Sequence, residues 1–282
     1  MTLFGIPLKF RLFWSPPPPP APWYPVKLGK RPAKQDARTL KFAKYVTTDL
    51  PQVPASCDYG DKVTNWGMLK NDVLGDCTCA GILHAIMLWL SQNGIVRSFT
   101  DSDAIALYER LCGYNPNNPS SDQGGVELDI LKAWRKQPIA DCQLLAFASV
   151  DPSNWEHVKL AHYLAGSLYM GVNLPLSAQK PGLWSDTSGE PGSWGGHALV
   201  TSAYTDPKRS LLCSLIKRDS GARLTAITWG TTQDMTPAWL ETYCDELWVP
   251  ITSDWFKEGK APNGFNLAQL QADVAAISNN IN

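Results

Sequence analysis

Asn71-Asp72-Val73-Leu74-Gly75-Asp76-Cys77-Thr78-Cys79-Ala80 passes from a tight polar loop straight into an apolar run that continues to Gln92. Apolar side chains fall on nearly every face over 78–92, which predicts a central helix buried all round. Asp76 stands where a short acidic side chain can cap the first turn. Cys77 then lies at the helix N-terminus, where unpaired backbone N–H groups and the helix dipole favour a thiolate and an oxyanion forming beside it. From the preceding loop, Asn71 can turn its side-chain amide back as a second oxyanion donor. A cysteine nucleophile also needs an imidazole from elsewhere in the chain. His197 supplies one, at the start of a predicted strand after Gly192-Ser193-Trp194-Gly195-Gly196, where glycines let a substrate backbone come close.

Outward from this stretch, helical spacing predicts further helices over 101–112, 126–136 and 154–164. Beyond residue 168 the pattern changes to strand-like runs at 168–174, 197–203, 211–217, 223–229 and 247–251, separated by Gly, Pro and Asp turn signals. Helices first and strands second predict an α+β architecture in two lobes: a helical lobe carrying Cys77 and an antiparallel β lobe after it.

On the N-terminal side the texture is different. Ser15 to Pro25 contains five consecutive prolines, which force an extended polyproline II rod. A basic, polar stretch follows over 27–38, then a short helical candidate over 40–45. Three regions are therefore expected: a proline-rich extended arm at 1–53, a globular body at 54–252, and an extension at 253–282 with an amphipathic helix over 266–281. An ordered arm implies either a protein partner for residues 1–53 or a groove on the chain's own body.

A formal net charge of -1 leaves no basic excess to make nucleic acid a default partner. The apolar run over 80–90 contains His84 and falls short of the roughly 20 residues needed to span a bilayer, so no membrane insertion is expected. Lys9 and Arg11 interrupt the early apolar stretch, which argues against a signal peptide and for a cytoplasmic or virion-associated protein. Seven cysteines without framework spacing fit a reducing compartment, since at least one thiol stays unpaired in a monomer.

These residues resemble the papain-like cysteine peptidase family, in order, from about Pro54 to Ile251. Pro54-Ala55-Ser56-Cys57-Asp58-Tyr59 with Val63-Thr64 is similar to the opening of the mature domain. Asn71 and Gly75 hold the places of the family's Gln and Gly before the catalytic cysteine. Asp122-Gln123-Gly124-Gly125 resembles its groove-lining Cys-Asn-Gly-Gly, with the cysteine replaced. Gly196-His197-Ala198-Leu199-Val200 resembles the strand carrying the general base, and Thr228-Trp229-Gly230-Thr231 the Asn-Ser-Trp-Gly-Thr stretch. The family's imidazole-orienting Asn falls on Ile227, so Thr228, or a carboxylate such as Asp206, must substitute, or Cys77 and His197 act as a bare pair.

The resemblance implies a papain-like fold with Cys77 and His197 as catalytic pair, Asn71 at the oxyanion, Thr228 as orienting residue and Trp229 as shield. Gly124, Gly125, Gly195 and Gly196 are expected to line the substrate groove. The implied reaction is hydrolysis of a peptide or isopeptide bond in a peptide or protein substrate, with no metal and no organic cofactor. Weighed residue by residue, Cys79 is a rival nucleophile that would put Val73 at the amide position. Cys77, Cys79 and His84 match no common zinc spacing, and His84, His157 and His162 read as structural or surface residues. Two other functions stay open. One is an inactive papain-like body tied by its arm into a larger assembly such as a phage virion, since the Asn71–Cys77 run resembles little-characterised bacterial and phage sequences. The other is an arm lying in the groove as a propeptide-like inhibitor, released by a cut near Leu50 to Pro54.

Overall fold

The computed structural model describes residues 26–46, 51–207, 221–255 and 261. The predicted polyproline rod, the strand over 211–217 and the helix over 266–281 lie outside them. The described helices are α1 (Cys77–Gln92), α2 (Asp101–Cys112), α3 (Glu127–Lys136), α4 (Trp155–Ala165) and α5 (Pro237–Tyr243). The strands are β1 (Leu40–Lys41), β2 (Ser56–Asp58), β3 (Leu144–Ser149), β4 (Tyr169–Leu174), β5 (Gly195–Thr205), β6 (Arg223–Thr228), β7 (Thr231–Met235) and β8 (Cys244–Thr252).

Helix α1 is the hub, with all but two of its residues buried. A helix apolar on every face must be surrounded, and one large apolar cluster joins α1 to α2, α3 and the start of β3. A second cluster fills the space between the sheet, α4 and α5. The sheet runs β1-β3-β8-β4-β5-β6-β7, with β2 paired to the far part of β5. Its pairings are antiparallel except for the short contact of β1 with β3. The long strand β5 carries His197 at its beginning and packs against α1.

Local chemistry sets the helix ends. Thr100 and Asp103 form a reciprocal capping box on α2, which stops at Gly113 in a left-handed conformation. Asn154 caps α4 and Thr236 caps α5 ahead of Pro237. Asp76 does not cap α1 through its side chain: its carbonyl accepts from Cys79 and Ala80, while its carboxylate accepts from the Asn71 amide at 3.0 Å. An amide held nearby by the loop wins the carboxylate from the first-turn N–H groups. The helical candidate over 40–45 is also revised, to the two-residue β1 followed by a single 3-10 turn, because Leu40 and Lys41 pair with Ala148 and Ser149.

Candidate active site

The site forms where the N-terminus of α1 meets the start of β5. Cys77 Sγ accepts the Ala198 backbone N–H at 3.4 Å, so the thiol touches the residue directly after His197. The His197 ring is held on two sides. Its Nε2 is 2.7 Å from Thr228 Oγ1, at the end of β6. The Trp229 indole stacks on it, with centroids 4.4 Å apart and planes 15° apart. Its Nδ1 is buried and, among the described residues, has no hydrogen-bond partner.

Thr228 is thus the side-chain hydrogen-bond partner of the His197 ring, a bond that Ile227, buried and paired with Val200 in the sheet, cannot make. Asp206 does not make it, because its carboxylate is engaged by Lys159 and by the Trp155 indole. Trp229 reaches its position through an unusual backbone: with Gly230 it makes the turn between β6 and β7, both residues at positive φ. A bulky side chain there is uncommon and strained by roughly 1–2 kcal/mol, and the stacked imidazole is what the conformation provides for.

Burial dominates the electrostatics. Burial first, then the Asp76 charge, push the Cys77 thiol up to about 12, against hydrogen bonds from the Ala198 and Gly29 backbones that draw it down. Burial pulls the His197 imidazole down to about 3. Both shifts favour the neutral forms, an un-ionised thiol and an uncharged imidazole. Asp76, also buried, is raised to about 7, with the Asn71 amide opposing the rise.

The chain's own residues 27–31 lie across this site. The Lys27 N–H donates to the Asp72 carbonyl at 3.0 Å, and its ammonium pairs with Asp122. The Gly125 N–H donates to the Gly29 carbonyl and the Arg31 N–H to the Gly125 carbonyl, each at 2.8 Å, so Lys30 pairs with Gly125 in the parallel sense. On the other wall the Lys30 N–H donates to the Gly196 carbonyl at 3.1 Å. The arm is therefore an extended peptide clamped between Gly124-Gly125 and Gly195-Gly196, with Gly29 at the thiol. A Cβ on Gly29 would overlap the Gly75 carbonyl, one on Gly124 the Gly29 carbonyl, and one on Gly196 the Lys30 carbonyl. Gly195 lies against the Leu28 side chain.

Asn71 is buried in the loop that precedes Cys77, with its amide engaged by Asp76. Asp122, where the family's cysteine would stand, accepts from the Gly75 N–H and from the Tyr108 hydroxyl, tying α2 to the loop before Cys77. Cys79 points elsewhere: it is fully buried, raised by burial, and its thiol neighbours that of Cys112. His84 meets the Trp66 and Gly67 carbonyls, each at 3.1 Å, and His162 meets Thr201 Oγ1 at 2.8 Å. His157 lies edge-on to Phe42. Sequence reasoning missed Gly29, Lys30, Glu127, Asp245 and Glu246. Only the small Gly29 within an extended run hinted at a close backbone approach.

No protein-family model matches the chain, and no curated protein matches it significantly. Solved structures do. Xylellain, a cysteine protease from Xylella fastidiosa, is similar over 80% of this chain and 96% of its own, at 13% identity and a TM-score of 0.56. Digestive procathepsin L 3 of the Tenebrio molitor larval midgut is similar over 81% of this chain and 77% of its own, at 13% identity and 0.53. The ragweed pollen allergen Amb a 11, a cysteine protease in its proform, follows over 72% and 67%, at 13% identity and 0.51. At such identities the likeness is one of fold, and with the α-then-β order, the central helix and the antiparallel sheet it establishes that this chain has the papain-like α+β fold.

Proposed function

We propose that the chain is a papain-like cysteine peptidase, or a related thiol hydrolase of peptide or isopeptide bonds, held latent by its own residues 27–31. The observation that carries this reading is the extended peptide already in the groove, paired on both walls and passing Cys77 at Gly29. A groove that holds one extended backbone across a helix-terminal thiol has the means to hold another. Two of the similar solved structures, the procathepsin and the pollen protease, are themselves proforms.

In the open state His197 would work as follows. With Nε2 donating to the Thr228 hydroxyl, Nδ1 carries the lone pair and takes the Cys77 proton. The thiolate attacks the substrate carbonyl, and the Cys77 N–H with the second Asn71 amide hydrogen stabilises the oxyanion. His197 returns the proton to the leaving amine, and water then hydrolyses the acyl-enzyme.

The Gly29→Ala variant tests this reading, because its Cβ cannot fit under the Gly75 carbonyl while the body is untouched. Gly29→Ala should hydrolyse a mixed peptide pool that wild type leaves intact, and Gly29→Ala with Cys77→Ala should not. Equal inertness of both variants would favour the second reading, an inactive papain-like body serving in an assembly such as a virion. The Asn71 amide engaged by Asp76 and the missing Asn at Ile227 are what support that alternative.

A further inference from the structure

Lys30 carries an ammonium with no exposed surface. Its Nζ lies 2.8 Å from Asp245 Oδ2, 3.3 Å from Glu246 Oε1 and 3.4 Å from the Arg31 carbonyl. A buried ammonium is costly unless paired, and here the partners come from the body while the lysine comes from the arm. Asp245 and Glu246 sit at the start of β8, and Glu127 opens α3.

Glu127 is fully buried, and among the described residues its oxygens make no hydrogen bond to Lys30; burial raises its carboxyl well above the usual range, and the Lys30 charge opposes that rise. Burial alone pulls the Lys30 ammonium down, but Glu127, Asp245 and Glu246 more than offset it and the net shift is upward. Glu246 is steadied by the Trp248 indole N–H at 3.3 Å. The slot is also shaped for a long stem. Gly171 on β4, opposite Glu246 in the sheet, leaves the room: a Cβ there would overlap Lys30 Cε and stand 2.6 Å from Glu246 Cγ. Lys30 adjoins Gly29, so the charge is read one residue from the one at the thiol.

We propose that Glu127, Asp245 and Glu246 form a specificity pocket for a basic side chain, so that peptides presenting lysine or arginine there are the ones the site accepts once the arm leaves. Lys30 is the chain's own occupant of that pocket. The proposal rests on the reading of the groove as a peptide site, but not on turnover.

The test uses the full chain and reads iodoacetamide labelling at Cys77 by mass spectrometry. Lys30→Arg should stay about as protected as wild type, whereas Lys30→Met, which keeps the stem and drops the charge, should label at least about tenfold faster. Adding Glu127→Gln and Glu246→Gln to Lys30→Met should restore protection. Equal protection of Lys30→Met and wild type would overturn the proposal. A second measurement covers a Lys30 variant that fails to fold. Fluorescein-tagged pentapeptides differing only in one lysine or norleucine are titrated onto the full chain carrying Gly29→Ala and Cys77→Ala. The lysine peptide should bind at least about tenfold more tightly, with the preference lost in Glu246→Gln; no binding, or equal binding, would overturn the pocket. If the lysine peptide is preferred yet Gly29→Ala cleaves nothing, the peptidase reading fails and the pocket stands.

Discussion

His197 is gripped through Nε2 by a threonine hydroxyl, a smaller orienter than a carboxamide and free to rotate. Thr228→Ser should keep that grip, whereas Thr228→Val should leave Nε2 unpartnered and cost roughly 10–100-fold in Cys77 reactivity in the opened protein, by analogy with loss of the groups that orient metal-bound histidines. The measurement is the pH profile of alkylation, which Thr228→Val should displace and Thr228→Ser should not. Asp76 supplies a second prediction. Its folded-state value of about 7 lies above the usual carboxyl value, so the fold favours its protonated form. That contribution is complete below the ordinary carboxyl range and is lost as pH rises through about 7. Asp76→Asn should therefore raise the urea midpoint most at neutral and alkaline pH, and should ease Cys77 ionisation by removing a neighbouring negative charge. The positions of Cys77, His197 and Thr228 were legible in the sequence because each sits at a recognisable place: a helix start, a strand start, a strand end. The side-chain partner of Asp76 was not, since which of two nearby donors a carboxylate takes depends on loop geometry.

The helices could be read closely because period and cap agreed: the prediction over 101–112 matches α2, whose capping box and terminal glycine both stand in the sequence. β7 escaped notice because Thr231-Thr232-Gln233-Asp234-Met235 is a polar strand with no apolar alternation, and α5, at seven residues, is too short to show a period. The arm's contact with the groove was open only as an alternative. Residues 27–38 look like solvated basic chain, and the burial of Lys30 is decided by carboxylates at 127, 245 and 246, far along the sequence. The turn between β6 and β7 yields a prediction at this scale. Trp229→Gly should keep the turn, since glycine suits its positive φ, while stripping the indole from His197. The imidazole value, followed by NMR, should then climb from about 3 toward the ordinary histidine value as solvent reaches the ring.

Across the molecule, three buried histidines tie stability to pH. Burial lowers His84 to about 4 and His162 and His197 to about 3. As pH falls below the ordinary histidine value, the unfolded chain takes up protons that the folded chain refuses, so stability drops by up to about 1.4 kcal/mol per pH unit for each histidine. Asp76 and Glu127, both raised by burial, act in the opposite sense. His162→Gln, which takes up no proton, should flatten the acid limb of the urea-midpoint curve. The arm acts at the same scale. While joined to the body it competes as an intramolecular ligand; a cut between Leu50 and Pro54 makes that competition bimolecular, so activity should rise on dilution of the cut protein. The most direct test of a latent Cys77–His197 pair covered by residues 27–31 is the rate of Cys77 alkylation from pH 5 to 9 in the full chain, with and without Gly29→Ala and His197→Ala. Wild type should label slowly and Gly29→Ala fast, with labelling that persists at acidic pH, and that acidic reactivity should be lost when His197→Ala is added. Labelling of Gly29→Ala that rises only as an ordinary thiol ionises, indifferent to His197, would contradict the latent pair.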